Sequence, residues 1–157
     1  MATTNQLVEE LKTLAEGLRE FQDPGFYAFN ADEVLSSSES ATFPLLVVTY
    51  EGSQPAPGND VSPAGQSRQT AQGVVFVERV FSIVVGVNYN GIYGVGDTKV
   101  IATDLLDALR AKILGYVGVG TRPWVWVNDT PVDGYGNGVI YYAQVWKMIE
   151  PQRGTDA

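Results

Sequence analysis

The sequence predicts an α+β fold: a mainly antiparallel four-stranded sheet with two helices packed on one face. Two segments repeat their apolar residues at helical spacing. Four others are rich in Val, Ile and aromatic residues, the composition of strands. The strands are joined by two hairpin-like polar connections, and the helical segments sit outside them, which favours antiparallel pairing. The predicted order is helix, strand, long arm, long strand, helix, strand, strand.

From Asn5 to Phe21, Leu7, Leu11, Leu14 and Leu18 recur at spacings of four, three and four, with Val8 and Ala15 widening the stripe. This is an amphipathic helix. Thr4 or Asn5 would cap it, Glu9 and Glu10 would favour its start, and Asp23-Pro24-Gly25 would stop it. The aromatics Phe26, Tyr27 and Phe29 imply a short strand or packed turn, followed by the polar tract from Ser36 to Ser40. Pro44 then opens a strand, Leu45 to Tyr50, whose continuous apolar run suits an interior position. Residues 51–73 hold three prolines and four glycines, and Val61 is their one large aliphatic residue. Such a stretch reads as an arm between two paired strands, unfolded alone and ordered by a partner.

The run from Val74 to Val87 is the longest strand, about 46 Å at roughly 3.3 Å per residue. One face carries Val75, Val77, Arg79, Phe81, Ile83, Val85 and Val87; the other carries Val74, Phe76, Glu78, Val80, Ser82, Val84 and Gly86. A half-solvated strand alternates more cleanly than this. One face therefore belongs against this chain's helices and the other is available to a neighbour. Phe76, Glu78, Arg79, Val80 and Val84 are candidate subunit or partner contacts, joined by Gln66 and Arg68 of the arm. Glu78 and Arg79, charged within an apolar run, require ion pairs.

Asn88 to Gly96 has loop chemistry, and Asp97 would cap a second helix reaching Gly115, with Ile101, Leu105, Leu109 and Ile113 at every fourth position. Trp124 to Val127 reads as a short alternating strand, Asn128 to Gly138 as a turn-rich connection, and Val139 to Ile149 as the last strand. The expected organisation is one domain over residues 1–150, with the arm at 51–73 and a frayed tail at 151–157, the fraying beginning at Glu150.

Composition narrows the chemistry. The chain has 157 residues, one ordinary domain, with 45% hydrophobic residues and no cysteine or histidine. The missing histidines remove imidazole acid–base catalysis, a Ser-His-Asp triad and the commonest zinc ligand. The missing cysteines remove disulfides and thiolate metal sites. The net charge of −8 is uneven, with −7 in residues 1–51. No basic patch suits a tight grip on nucleic acid. The N-terminus lacks a signal-peptide layout, and no apolar run approaches the ~20 residues of a membrane span.

Three constellations could carry chemistry. Gly91, Gly94 and Gly96 lie between a strand and a helix, but their spacing does not match a dinucleotide fingerprint, and Asp97 stands where a phosphate would sit. Asp104 and Asp107 share a helix face, yet beside Arg110 and Lys112 they read as solvated helix charges. Asp129 and Asp133 flank Pro131 among glycines, where turn formation explains them more simply than calcium. The aromatics Trp124, Trp126, Tyr141, Tyr142 and Trp146 have too few basic neighbours for nucleic-acid stacking, so sheet packing or subunit contact is the simpler role. No catalytic, metal or cofactor site is expected.

The order and spacing of five segments resemble the phage tail terminator proteins, a small family that includes Mu-like prophage tail-completion proteins. These segments are the N-terminal amphipathic helix, FPLLVVTYEG from Phe43 to Gly52, the long strand, ATDLLDALRAKILGY from Ala102 to Tyr116, and YYAQVWKM from Tyr141 to Met148. The resemblance implies a non-enzymatic virion protein forming a ring, usually a hexamer, on the head-proximal end of the tail. Such a ring ends tube polymerisation, presents a surface to the neck protein and, in contractile tails, anchors the sheath. DNA passes through its lumen without sequence-specific binding. Two alternatives are a different neck or head–tail connector ring, and a small ligand-binding or carboxylate-dependent enzyme domain using Asp129, Asp133 or residues 91–96.

Overall fold

A computed structural model describes residues 1–18, 25–28, 45–56, 74–88, 102–132 and 139–154. They form helix α1 (Thr4–Glu16), strands β1 (Gly25–Ala28), β2 (Leu45–Pro55) and β3 (Val74–Asn88), helix α2 (Ala102–Ile113), and strands β4 (Val125–Val132) and β5 (Val139–Arg153). The sheet order is β1-β2-β3-β5-β4. The four long strands pair antiparallel, as the α+β expectation required. The short stretch at 25–28 adds a parallel edge strand beside β2.

The cap of helix α1 lies one residue before the nearer of the two expected from the sequence. Thr3 is the N-cap: its hydroxyl accepts from the Gln6 N–H at 3.2 Å, and the Gln6 side chain accepts from the Thr3 N–H at 2.8 Å. This reciprocal capping box satisfies two N-terminal donors, and no acid lies in the first turn. Leu7, Val8, Leu11, Leu14 and Ala15 are buried, so the apolar stripe faces the sheet. Helix α2 buries Leu105, Leu106, Leu109 and Ile113 on the same side. It ends at Gly115, whose φ of 75° is left-handed, a conformation that glycine adopts without a Cβ penalty. The expected cap Asp97 lies outside the described residues.

Both helices share one core with Leu46 and Val48 of β2, Phe81, Ile83, Val85 and Val87 of β3, and Trp146 and Met148 of β5. The odd-numbered face of β3 is therefore the helix face. Trp124 closes the core, with its ring edge-on to Phe81 at 5.4 Å between centroids. Gln144, fully buried, donates to the Leu106 carbonyl at 2.9 Å and accepts from the Trp146 indole at 2.8 Å. It joins α2 to the sheet without leaving a buried amide unsatisfied.

Three strand boundaries differ from the sequence expectation, each because ladder pairing outweighs local composition. Strand β2 runs past Tyr50 to Pro55, after a bulge between Tyr50 and Gly52 where the Gly52 φ is 133°. The start of the expected arm is thus strand, and residues 57–73 lie outside the described set. Strand β4 continues through Asn128-Asp129-Thr130-Pro131, which read as a turn, because these residues pair with Val145 to Tyr142 of β5. Strand β5 continues through Arg153, paired with Val74, so residues 151–153 belong to the sheet and not to a frayed tail. No helix among the described residues is long and apolar enough to cross a membrane.

Candidate interaction surface

The segment between α2 and β4 is irregular, yet side chains from distant elements hold it. Its ends close on themselves: the Trp124 N–H donates to the Tyr116 carbonyl at 3.1 Å, and the Gly115 N–H points back to the Trp124 carbonyl at 3.4 Å. The Glu10 carboxylate of α1 then accepts from the Trp124 indole N–H at 2.7 Å and from the Val119 backbone N–H at 2.6 Å. Hydrogen bonds to a charged acceptor are the stronger kind. Gly118 permits this approach, since a Cβ there would collide with the Glu10 carboxylate. Gly120 packs against Met148 in the same way, a Cβ falling 2.8 Å from its Cε.

A second carboxylate holds the other side. Glu150 is fully buried, and its oxygens accept from the Thr121 N–H at 3.2 Å and the Thr121 hydroxyl at 3.4 Å. It also pairs with Arg79 at 2.5 Å, and Arg79 donates to the Ala2 carbonyl at 2.8 Å. One buried ion pair thus links β3, β5, the start of α1 and the loop. Burying two charges is tolerable only with such additional hydrogen bonds.

This scaffold presents apolar side chains to solvent. Leu114, Tyr116, Val117 and Val119 are 40–59% exposed, and Val125, Trp126 and Val127 at the start of β4 are 37–42% exposed. Strand β4 is a sheet edge among the described residues. A bulge between Trp126 and Asn128 pushes Val127 out of the ladder. Arg110 stacks over the Trp126 ring at 4.7 Å and pairs with Asp107 and Asp129. The hydrogen bond with Asp107, joined by that with Asp129, raises the Arg110 pKa above its ordinary value, so the guanidinium stays charged. Beside the loop, Asn5, Gln6, Glu9, Glu10, Thr13 and Leu14 of α1 enclose a largely apolar groove of about 500 Å³ with Tyr116 and Val119.

The candidate contacts from the sequence lie elsewhere. Arg79 makes its ion pair inside the chain, as described. Glu78 is buried on the opposite sheet face and pairs with Lys147 at 3.3 Å. Val84 on that face is 6% exposed, while Phe76 and Val80 are half-buried. Arg122 sits over the Phe76 ring at 5.2 Å. Gln66, Arg68, residues 91–96 and Asp133 lie outside the described residues. Asp129 is occupied by Arg110 and by the Trp126 indole, 3.0 Å away. Asp104 is exposed at the start of α2, and Asp107 is paired with Arg110.

Sequence reasoning missed both clamping glutamates. Glu10 flanks the Leu7–Leu11–Leu14 stripe and read as an ordinary helix acid. Glu150 shares the parity of Trp146 and Met148, so extending the alternation of β5 by one step would have placed it on the core face. No protein-family model matches this chain, and no curated protein matches it significantly.

Proposed function

We propose that this protein is a structural, ring-forming component of a phage tail, a tail terminator that caps the tail tube and joins it to the neck. The observation that carries this reading is the rigid, exposed apolar surface from Leu114 to Val127. A folded chain that clamps a loop with two carboxylates while leaving seven large apolar side chains in water is built for protein contact. The sequence resemblance supplies the kind of contact: a homo-oligomeric ring on the tube, facing a neck or connector protein on the head side and, in contractile tails, the sheath. The net charge of −8 suits a lumen that lets DNA pass without retaining it.

The test is mass photometry of the purified protein, followed by negative-stain imaging after mixing with purified tail tubes. Closed rings seated on tube ends, and tubes that stop growing when the protein is added, are expected. A protein that stays monomeric and never caps tubes would remove the proposal. Rings that bind a capsid connector but ignore tubes would assign it to the neck instead.

A further inference from the structure

We infer that successive copies join head to tail, the start of β4 on one copy packing into the α1 groove of the next. This rests on the ring reading and specifies its contact.

Two surfaces on the chain are the partners of this contact. The first is convex: Val125, Trp126 and Val127, exposed at a sheet edge and thrust outward by the bulge. Between Asp107 and Asp129 the chain carries Arg110, Lys112 and Arg122 and no acid. Arg110 is consumed by Asp107 and Asp129, and the Lys112 ammonium reaches toward Gly17 at the end of α1, which leaves Arg122, exposed and stacked on Phe76, as the positive charge just ahead of β4. The second surface is concave: the groove of about 500 Å³ along α1, whose floor is Leu14, Tyr116 and Val119. Glu9 lies exposed on its wall, in the most acidic third of the chain.

The occupant follows from charge. A protein with net charge −8 repels its own copies over most of its surface. The stretch from Arg110 to Asn128, basic and apolar and without an acid, is where a second acidic copy can approach, and the groove beside Glu9 is the surface that such a stretch fits. The two surfaces use different residues, so the contact is heterologous. Heterologous contacts do not end at two copies; they continue into a ring where the rotation between copies closes and into a filament where it does not. Bulge and proline in β4 interrupt the edge ladder, so side chains in a groove, and not an added strand, make the junction.

The test is a charge exchange read by mass photometry and analytical ultracentrifugation. Glu9→Arg and Arg122→Glu should each raise the protein concentration needed for ring assembly by about tenfold or more. The Glu9→Arg/Arg122→Glu double variant should recover assembly, and an equimolar mixture of the two single variants should assemble where neither does alone. Val127→Asp should give a monomer that keeps the wild-type circular-dichroism spectrum. Wild-type rings that persist unaltered in all three single variants would overturn this contact while leaving the ring intact. A wild-type protein that forms no ring at any concentration or on tubes would remove both. Loss of assembly without rescue in the double variant or the mixture would also overturn the pairing.

Discussion

Replacing Glu150 with glutamine should unfold this protein more readily than any surface substitution. Glu150 is fully buried, and its partner Arg79 is 4% exposed. The carboxylate serves three donors: Arg79, the Thr121 N–H and the Thr121 hydroxyl. A glutamine amide keeps one acceptor oxygen, places an NH2 against donors, and leaves the guanidinium charge buried with the Ala2 carbonyl as its remaining described acceptor. Breaking a buried pair from one side costs about 3–5 kcal/mol. The surviving Ala2 bond places the loss near the lower end, about 3 kcal/mol. For a chain of this length that corresponds to a melting-point drop of about 6–12 °C. Tryptophan fluorescence during urea and thermal unfolding would measure it, at one fixed protein concentration because self-association adds apparent stability. The Arg79→Met/Glu150→Leu double variant removes both charges together and should lose less than the sum of the single variants. A loss below about 1 kcal/mol for Glu150→Gln, or strict additivity in the double variant, would refute the ion pair as the tie between β3, β5 and the loop.

Two glycine substitutions probe different physics. Gly118→Ala sets a methyl against the Glu10 carboxylate and within 2.6 Å of the Tyr116 ring. It should cost about 1–3 kcal/mol and shift the Trp124 emission as the Glu10 clamp loosens; an unchanged spectrum and denaturant midpoint would contradict the clamp. Gly52→Ala meets open space, so its cost lies in the backbone alone, where φ is 133°. A loss of about 1 kcal/mol in urea unfolding is expected, and a midpoint at or above wild type would show that the bulge does not hold that angle.

The helices and the core face of the sheet were legible because burial imposes a period. Leu7, Leu11, Leu105, Leu109 and Ile113 are fully buried, and the odd residues of β3 from Phe81 to Val87 line the helix face, as their spacing implied. Charges within that period were harder to read. Arg79 announced itself among valines, while Glu150, one alternation beyond Met148, was hidden by its neighbouring proline and the polar C-terminal segment. Strand ends were the least legible. Asn128-Asp129-Thr130-Pro131 has turn composition, and ladder bonds to a committed partner strand overrode it.

By itself the amino-acid order determined the fold class and the apolar faces of both helices, because each depends on a short-range repeat. It also determined what catalysis is excluded, since a chain without histidine or cysteine lacks those groups wherever it folds. Only the tertiary structure decided that Glu10 and Glu150 clamp one loop, that Arg79 is spent inside the chain, and that seven apolar side chains between Leu114 and Val127 face water. These contacts join residues 29 to 114 positions apart, and sequence spacing carries no record of contacts at that range.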